Sequence, residues 1–533
     1  MQSGSKETIA RSAGRIGGAT IISRVLGLVR DSVFAAIFGT TFFADAFNVA
    51  FLIPNFLRRV LGEGTLNASY VPVYTHYLKR ESEERAAEVA AKVFSVLMVV
   101  LGLVVVLGIL FAGPIVNLYA FGWKDSPETV SLTVRLTRIL FPYIFFVALA
   151  ALAGGTLNSR GYFGLPAFAP AFLNIALIVS AGLIVLRGAE LGEWAVTLFS
   201  IGALVGGLLQ IAIQVPLLRR TGHRFRFDAD FKDPAVKWVG KLMLPGMLAF
   251  TVTQVNILVD TLLATTLPEG SVTALRLGNR IAIQPLGVFG VAITTAALPA
   301  LSAHAAEKDK TRLIEDFAFS LRLILALLIP SAIGLMILAT PVVRLLFERG
   351  EFTAARSTPM TSSALFYYAM GLFAYGGTKA VVQAFYSMKD TVTPMKIAIL
   401  TVALNIILDI VLVRQLGLIG LALATAVSAV VGFSLLCFML KRRLGDIRSG
   451  EIWGAMGKVL LISLLMGAVI YLVSARLDPV ATNVLGKLAQ VTGSIAAGAA
   501  VFLGLGFLFK VREVIFLWGM LVKRSGPGKT DSK

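Results

Sequence analysis

The sequence predicts an all-α polytopic membrane protein of about fourteen transmembrane helices, built as two six-helix lobes plus two C-terminal helices. Three observations carry this expectation. Of the 533 residues, 57% are hydrophobic, above the roughly 45–50% of soluble domains, and the mean hydropathy is +0.82. Apolar runs of about 20 residues, each enough to cross a bilayer as a helix, recur from end to end. Basic residues concentrate in alternate connections between those runs.

Spans are expected near 9–38, 41–66, 86–118, 129–153, 164–187, 193–218, 236–266, 272–303, 315–343, 360–388, 392–413, 416–441, 453–475 and 484–510. The first twenty residues are polar and basic (Lys6, Arg11, Arg15), and no short apolar core with a small-residue cleavage site follows. They are read as leading into a retained first span rather than as a removable signal peptide. One set of alternate loops carries Lys79, Arg80, Arg85, Arg160, Arg219, Arg220, Arg224, Arg226, Lys232, Lys237, Lys308, Lys310, Arg312, Lys389, Lys441, Arg442, Arg443 and Arg448, and the tail is basic from Lys510. The opposite set holds little beyond Lys124, Arg187, Arg349, Arg356, Arg414 and Arg476. This asymmetry places both termini in the cytoplasm. It also accounts for the net charge of +19 without a nucleic-acid partner.

Residues 1–225 are expected to form the first lobe (spans 1–6) and 226–445 the second (spans 7–12). Spans 13 and 14 follow over 446–512, and 513–533 reads as a disordered cytoplasmic tail. An internal repeat supports the two lobes. Ser159 and Pro166 are spaced as Ser387 and Pro394 are, and each pair precedes a Leu-Asn-Ile run, at 173–175 and 404–406. The copies lie six spans apart and so share an orientation.

The stretch 23–74 has the composition of membrane spans yet carries Arg24, Arg30, Asp31, Asp45, Arg58, Arg59 and Glu63. A charge at the centre of a membrane helix costs about 2.5–3.5 kcal/mol on insertion scales, so such residues face one another or a water-filled cavity. Arginines outnumber carboxylates here, which makes that cavity cationic and suited to phosphate. Singly, Arg58 and Arg59 also fit a helix end that snorkels to the headgroups. In span 8, Arg276, Arg280 and Gln284 share a helix face; Arg276 suits the surface, while Arg280 lies deeper and extends the cationic cavity. Asp260 in span 7, Asn405 and Asp409 in span 11 and Thr425 in span 12 are hard oxygen donors. They suit a hard cation, and the same groups serve equally for a proton or for interhelical hydrogen bonds.

Several classes are disfavoured. The single cysteine, Cys437, excludes disulfides within the chain and thiol metal clusters, and His76, His223 and His304 are widely separated. No phosphate-binding Gly-x-x-x-x-Gly-Lys-Ser/Thr loop and no His-Glu-x-x-His occurs, so ATP hydrolysis and zinc proteolysis lack support. No loop is long enough for a catalytic domain, and a transporter is expected rather than an enzyme.

RVLGLVRD (24–31), ADAF (44–47), PNFLRRVLGEG (54–64) and VPV (71–73) closely resemble the MurJ (MviN) lipid II flippases of the multidrug/oligosaccharidyl-lipid/polysaccharide exporter superfamily. The resemblance covers nearly the whole chain. It implies two six-helix lobes around a cationic cavity, with spans 13 and 14 forming a groove for a polyprenyl tail. It further implies a bacterial inner-membrane protein, monomeric and near cell-wall synthesis proteins. Its substrate would be lipid II, undecaprenyl-diphosphate-linked disaccharide-pentapeptide, moved to the outer leaflet; export of another polyprenyl-linked glycan or of drugs is the alternative on the same fold.

Carried over residue by residue, the substrate site would comprise Arg24, Arg30, Asp31, Asn55, Arg58, Asn174 and Arg280, with Asp45, Arg59 and Glu63 as further cavity or gate charges. Asp260, Asn405, Asp409 and Thr425, with the carbonyl of Leu421, match a sodium site of some members; no other cofactor is implied. One departure stands out. Members often carry Glu or Gln two residues before the span-8 proline, where this chain has Ile283, with Gln284 next to Pro285. A step of one residue turns a helical side chain by about 100°.

Overall fold

The computed structural model describes residues 18, 22–58, 65–188, 192–222 and 226–524, and every regular element among them is helical. The chain divides into two compact units, Met1–Thr273 with Arg349–Thr353, and Ala274–Glu348 with Ala354–Lys533.

In the first unit the helices are α1 (22–38), α2 (Phe42–Arg58), α3 (Asn67–Arg80), α4 (Glu83–Leu110), α5 (Ala112–Tyr119), α6 (Pro127–Leu140), α7 (Tyr143–Ser159), α8 (Gly164–Phe168), α9 (Ala171–Arg187), α10 (Glu193–Ala212), α11 (Val215–Arg220) and α12 (Pro234–Ala264). Phe34 and Phe38 of α1, Phe47 of α2 and Phe199 of α10 meet as an aromatic cluster with ring centroids 5.1–5.6 Å apart. Each ring is at most 6% exposed. This packing fixes α1 against α2 and so positions the charges that both carry. At Gly206 a side chain would sit 2.8 Å from the Cα of Leu173, so glycine is what allows α10 to lie against α9.

The second unit contains most of α13 (Ser271–Ala282), then α14 (Val291–Ala306), α15 (Lys310–Ile337), α16 (Ala339–Phe347), α17 (Ser357–Met370), α18 (Leu372–Ser387), α19 (Val392–Leu416), α20 (Leu418–Leu444), α21 (Ser449–Leu477), α22 (Val484–Leu508) and α23 (Arg512–Arg524). Its core gathers Phe317, Leu321, Ile324 and Leu328 of α15 with Val381 and Phe385 of α18 and Val459, Ile462 and Met466 of α21.

Ten helices among the described residues are long and apolar enough to cross a membrane. The other expected crossings fall on α1, α2, α12 and the α17–α18 pair. Arg30 and Asp31 interrupt the apolar run of α1, Pro54 lies inside α2 and Pro245 inside α12, and α17 and α18 break at Gly371.

The lobes expected at 1–225 and 226–445 follow span count, whereas the division at Thr273 follows packing. Asp233, at the start of α12, accepts hydrogen bonds from Lys92 Nζ (2.9 Å) and Arg85 Nη2 (3.3 Å) of α4, which ties α12 to the first unit. The tail expected to be disordered from 513 instead begins with α23. Val511 and Val514 are buried in the core of the second unit, and Glu513 pairs with Arg322 of α15 at 2.9 Å, which gives this helix a docking face.

The repeated segments close with the same helix cap. After α7 the N–H of Tyr162 reaches the carbonyl of Leu157 (3.0 Å), and after α18 the N–H of Asp390 reaches that of Phe385 (2.9 Å). The residue between is left-handed in both, Gly161 with φ 85° and Lys389 with φ 61°. This is the Schellman pattern of helix termination.

Candidate functional site

Arg30 and Asp31 sit in the middle of α1, with side chains 14% and 10% exposed. Asp31 Oδ1 accepts from Arg30 Nε (3.0 Å) and Nη2 (2.6 Å), while Arg30 Nη1 donates to Asn174 Oδ1 at 2.9 Å. Asn174 stands four residues after Pro170, which starts α9, and its Nδ2 donates to the carbonyl of Ser23 (3.1 Å), fixing the amide so that its oxygen faces the guanidinium. Three of the five N–H groups of Arg30 are thereby used, and the other two have no partner among the described residues. The plane of the fork is set by α1 and α9 together, which leaves its remaining donors oriented in advance.

A second pair lies on α2, where Arg58 Nε donates to Asn55 Oδ1 (2.8 Å) one turn earlier. Arg24 is exposed on α1, six residues before Arg30. The structure thus joins Arg30, Asp31 and Asn174 in one cluster and Asn55 with Arg58 in another. Arg59 and Glu63 lie outside the described residues.

Asp45 takes a different place. It lies in the first turn of α2, thirteen residues or about 20 Å of helix from Arg58. Its carboxylate, 3% exposed, accepts from the N–H of Gly270 (2.7 Å) and from the N–H (2.9 Å) and hydroxyl (2.6 Å) of Thr273. It therefore caps the N-terminus of α13. Glu269 reciprocates, accepting from the N–H of Phe42 at the start of α2 (2.6 Å). Glu269, Gly270 and Thr273 were not among the residues expected from the sequence. The available signal was Gly270, whose φ of 91° marks a tight turn before a helix.

In the second unit Arg280 occupies the last turn of α13, half-buried. Just beyond it Ile283 is 40% exposed, Gln284 is half-buried, and a π-helical turn spans Leu286–Gly290 after Pro285. Such turns re-aim side chains along a helix.

Asp260 is half-buried on α12 in the first unit. Asn405, Asp409, Leu421 and Thr425 belong to the α19–α20 hairpin of the second. Gly420 packs on Leu412, and Gly432 on Thr401. That antiparallel register sets the four groups within about 9 Å along the hairpin. Asn405 is 2% exposed, and neither atom of its amide has a hydrogen-bond partner among the described residues. Thr425 Oγ1 donates to the carbonyl of Leu421 (3.0 Å). Buried amide and carboxylate oxygens of this kind fit a hard cation. Among the described residues no group of three or more His, Cys, Asp or Glu could hold a metal ion.

Comparison with known proteins follows the same lines. The family described as lipid II flippase MurJ matches residues 34–487. The probable lipid II flippase MurJ of Vibrio cholerae serotype O1 is 33% identical over 511 residues, covering 93% of this chain and 95% of the relative. The lipid II flippase MurJ of Burkholderia cenocepacia is 33% identical over 442 residues, covering 82% of this chain and 84% of the relative. Among solved structures, a lipid II flippase MurJ in an inward closed conformation superposes with a TM-score of 0.76 at 29% identity, covering 94% of this chain and 99% of that one. An inward-facing multidrug resistance MATE family transporter of the MOP superfamily matches with a TM-score of 0.63, covering 80% of this chain and 99% of that one. At 15% identity, this second likeness is one of fold alone.

Proposed function

The chain belongs to the lipid II flippase MurJ family, and from that premise we propose that it moves lipid II, the undecaprenyl-diphosphate-linked peptidoglycan precursor, from the cytoplasmic to the outer leaflet. It is a multi-pass membrane protein and a transporter, not an enzyme. The observation that carries the substrate reading is Arg30, oriented by Asp31 and Asn174 with two N–H groups left for an anion.

Arg30 captures the diphosphate, and Arg24, Arg58 and Arg280 add charge-assisted contacts as the carrier changes state. The neighbouring carboxylate of Asp31 keeps the guanidinium oriented when no substrate is bound. Ligand that binds one state more tightly shifts the population toward it, which is the basis of alternating access. An inside-negative potential assists outward movement of the anionic headgroup by about 2.3 kcal/mol per charge per 100 mV. Apolar outward faces of α21, including Leu461, Leu464 and Leu472, suit the polyprenyl tail.

Sodium at Asn405, Asp409, Leu421 and Thr425, with Asp260, would supply a positive charge that favours return to the inward state. The protein lies in the bacterial cytoplasmic membrane with both termini inside, as the basic loops favour. It works as a monomer beside the cell-wall enzymes that consume its product.

The test is translocation of labelled lipid II in proteoliposomes under an imposed inside-negative potential. Wild type should transport, and Arg30→Ala and Arg280→Ala should lose transport while remaining folded. Wild type that moves another polyprenyl glycan but no lipid II would overturn the substrate assignment.

A further inference from the structure

Among the described residues, four other than glycine have positive φ, namely Lys308 (57°), Lys389 (61°), Arg448 (58°) and Lys510 (51°). All four are basic and all belong to the second unit. Residues with a Cβ avoid this region, and Gly or Asn is the usual occupant of a left-handed cap. Three of them close a helix identically. Asp309 N–H reaches the carbonyl of His304 (3.0 Å) after α14, Asp390 N–H that of Phe385 (2.9 Å) after α18, and Val511 N–H that of Gly506 (2.9 Å) after α22. Lysine thus stands three times where glycine fits better, and where the first unit has Gly161.

The lysine side chains have a common setting. Counted as membrane crossings, α14, the α17–α18 pair and α22 are the eighth, tenth and fourteenth, so their C-terminal ends belong to the same side. Each of the three lysines is exposed and makes no ion pair with any described residue. Nearby arginines are engaged instead, Arg443 with Asp390, Arg448 with Glu315 and Glu451, and Arg312 with Asp309, while Lys310 and Arg512 share the lysines' lack of an ion pair among the described residues. Beyond Lys510, α23 turns outward Ile515, Phe516 and Trp518, which are 41%, 42% and 44% exposed. Aromatic side chains in that position mark the membrane–water boundary.

We propose that Lys308, Lys389 and Lys510 form a rim on the second unit that binds anionic phospholipid headgroups of the adjacent leaflet. The occupant follows from the charge and from the place. Each ammonium, unpaired among the described residues, stands at the end of a helix long enough to cross a bilayer or of a helix pair that does so, and anionic lipids attract basic side chains at such ends. The left-handed backbone holds that side chain at the helix terminus. The strain of a Cβ there persists because the charge is used.

The experiment compares unfolding temperatures of the full chain in nanodiscs of phosphatidylcholine alone and with phosphatidylglycerol added. Nanodiscs expose both faces, so the outcome does not depend on membrane orientation or on lipid II transport. Wild type should gain stability with phosphatidylglycerol. The triple change Lys308→Gly, Lys389→Gly and Lys510→Gly should unfold in phosphatidylcholine no lower than wild type, yet lose at least half of the gain. Asparagine at the same positions, also tolerant of positive φ, should behave likewise, and arginine should retain the gain. Removing three exposed basic residues of the first unit, by Lys79→Gln, Arg80→Gln and Lys232→Gln, should leave the gain intact. A full gain in the glycine and asparagine variants, an equal loss in that control, or no gain in wild type would each overturn the proposal. So would an equal rise from inorganic phosphate in phosphatidylcholine alone.

Discussion

Asp45 Oδ1 accepts two hydrogen bonds from Thr273, one from its backbone N–H at 2.9 Å and one from its hydroxyl at 2.6 Å, across 228 residues of chain. With Glu269 bonded to the N–H of Phe42, the starts of α2 and α13 are capped by carboxylates contributed reciprocally. Thr273 is fully buried, so its groups have no water to replace a lost partner. Thr273→Val should therefore lower unfolding stability by about 1–3 kcal/mol. Asp45→Ala should cost more, since it strands the N–H groups of Gly270 and Thr273 together. Denaturant unfolding in lipid measures both, and two variants indistinguishable from wild type would contradict the cap.

Asn174 orients Arg30 without itself carrying charge. Asn174→Leu should leave the protein folded and weaken lipid II binding by about tenfold, the equivalent of one charge-assisted hydrogen bond of roughly 1.5 kcal/mol. Arg30→Lys should not rescue Arg30→Ala fully, because an ammonium cannot contact Asp31, Asn174 and a phosphate in one plane. Binding of labelled lipid II to purified protein tests both statements. Full activity of the lysine variant would show that charge alone suffices.

How much could be read beforehand depended on the range of the interaction. Ten long apolar helices were legible because hydropathy averages over about 20 residues. The charges of α1 stood out against an apolar background, and Arg30 and Asp31 are neighbours in sequence. Asn174 entered only through family resemblance, since nothing local links it to a residue 144 positions away. The tie of Asp45 to Thr273 is of the same kind and left no trace in periodicity. At α23 the docking residues, Val511 just before the helix and Val514 within it, are few, and the surrounding basic residues made the segment read as a tail.

Asp390, in the turn between α18 and α19, holds its carboxyl below the ordinary value of 3.8. The N–H of Thr393 is the main cause; its hydroxyl, Arg443 and the N–H of Val392 add to it, and together they outweigh burial. A carboxyl lowered on folding contributes stability that is present above its unfolded value, near 4, and lost as pH falls through the folded one. Asp390→Asn should be less stable than wild type at pH 6 and should lose less on acidification below pH 4. Parallel curves for the two proteins would remove Asp390 from the acid response.

Asn405 separates the readings of the α19–α20 hairpin. Its buried amide has no partner among the described residues, and such a group destabilises the fold unless something occupies it. If sodium is that partner, exchanging potassium for sodium should raise the unfolding temperature of wild type, as any ligand of the folded state does. Asn405→Leu removes both the unmet amide and the ligand oxygen. In potassium it should be as stable as wild type or about 1 kcal/mol more so, and it should no longer respond to sodium. Asp409→Asn should lose the sodium response as well, because the cation then meets one charge fewer. A wild type equally stable in both salts, with unaltered lipid II transport, would instead assign these groups to a proton or to helix packing.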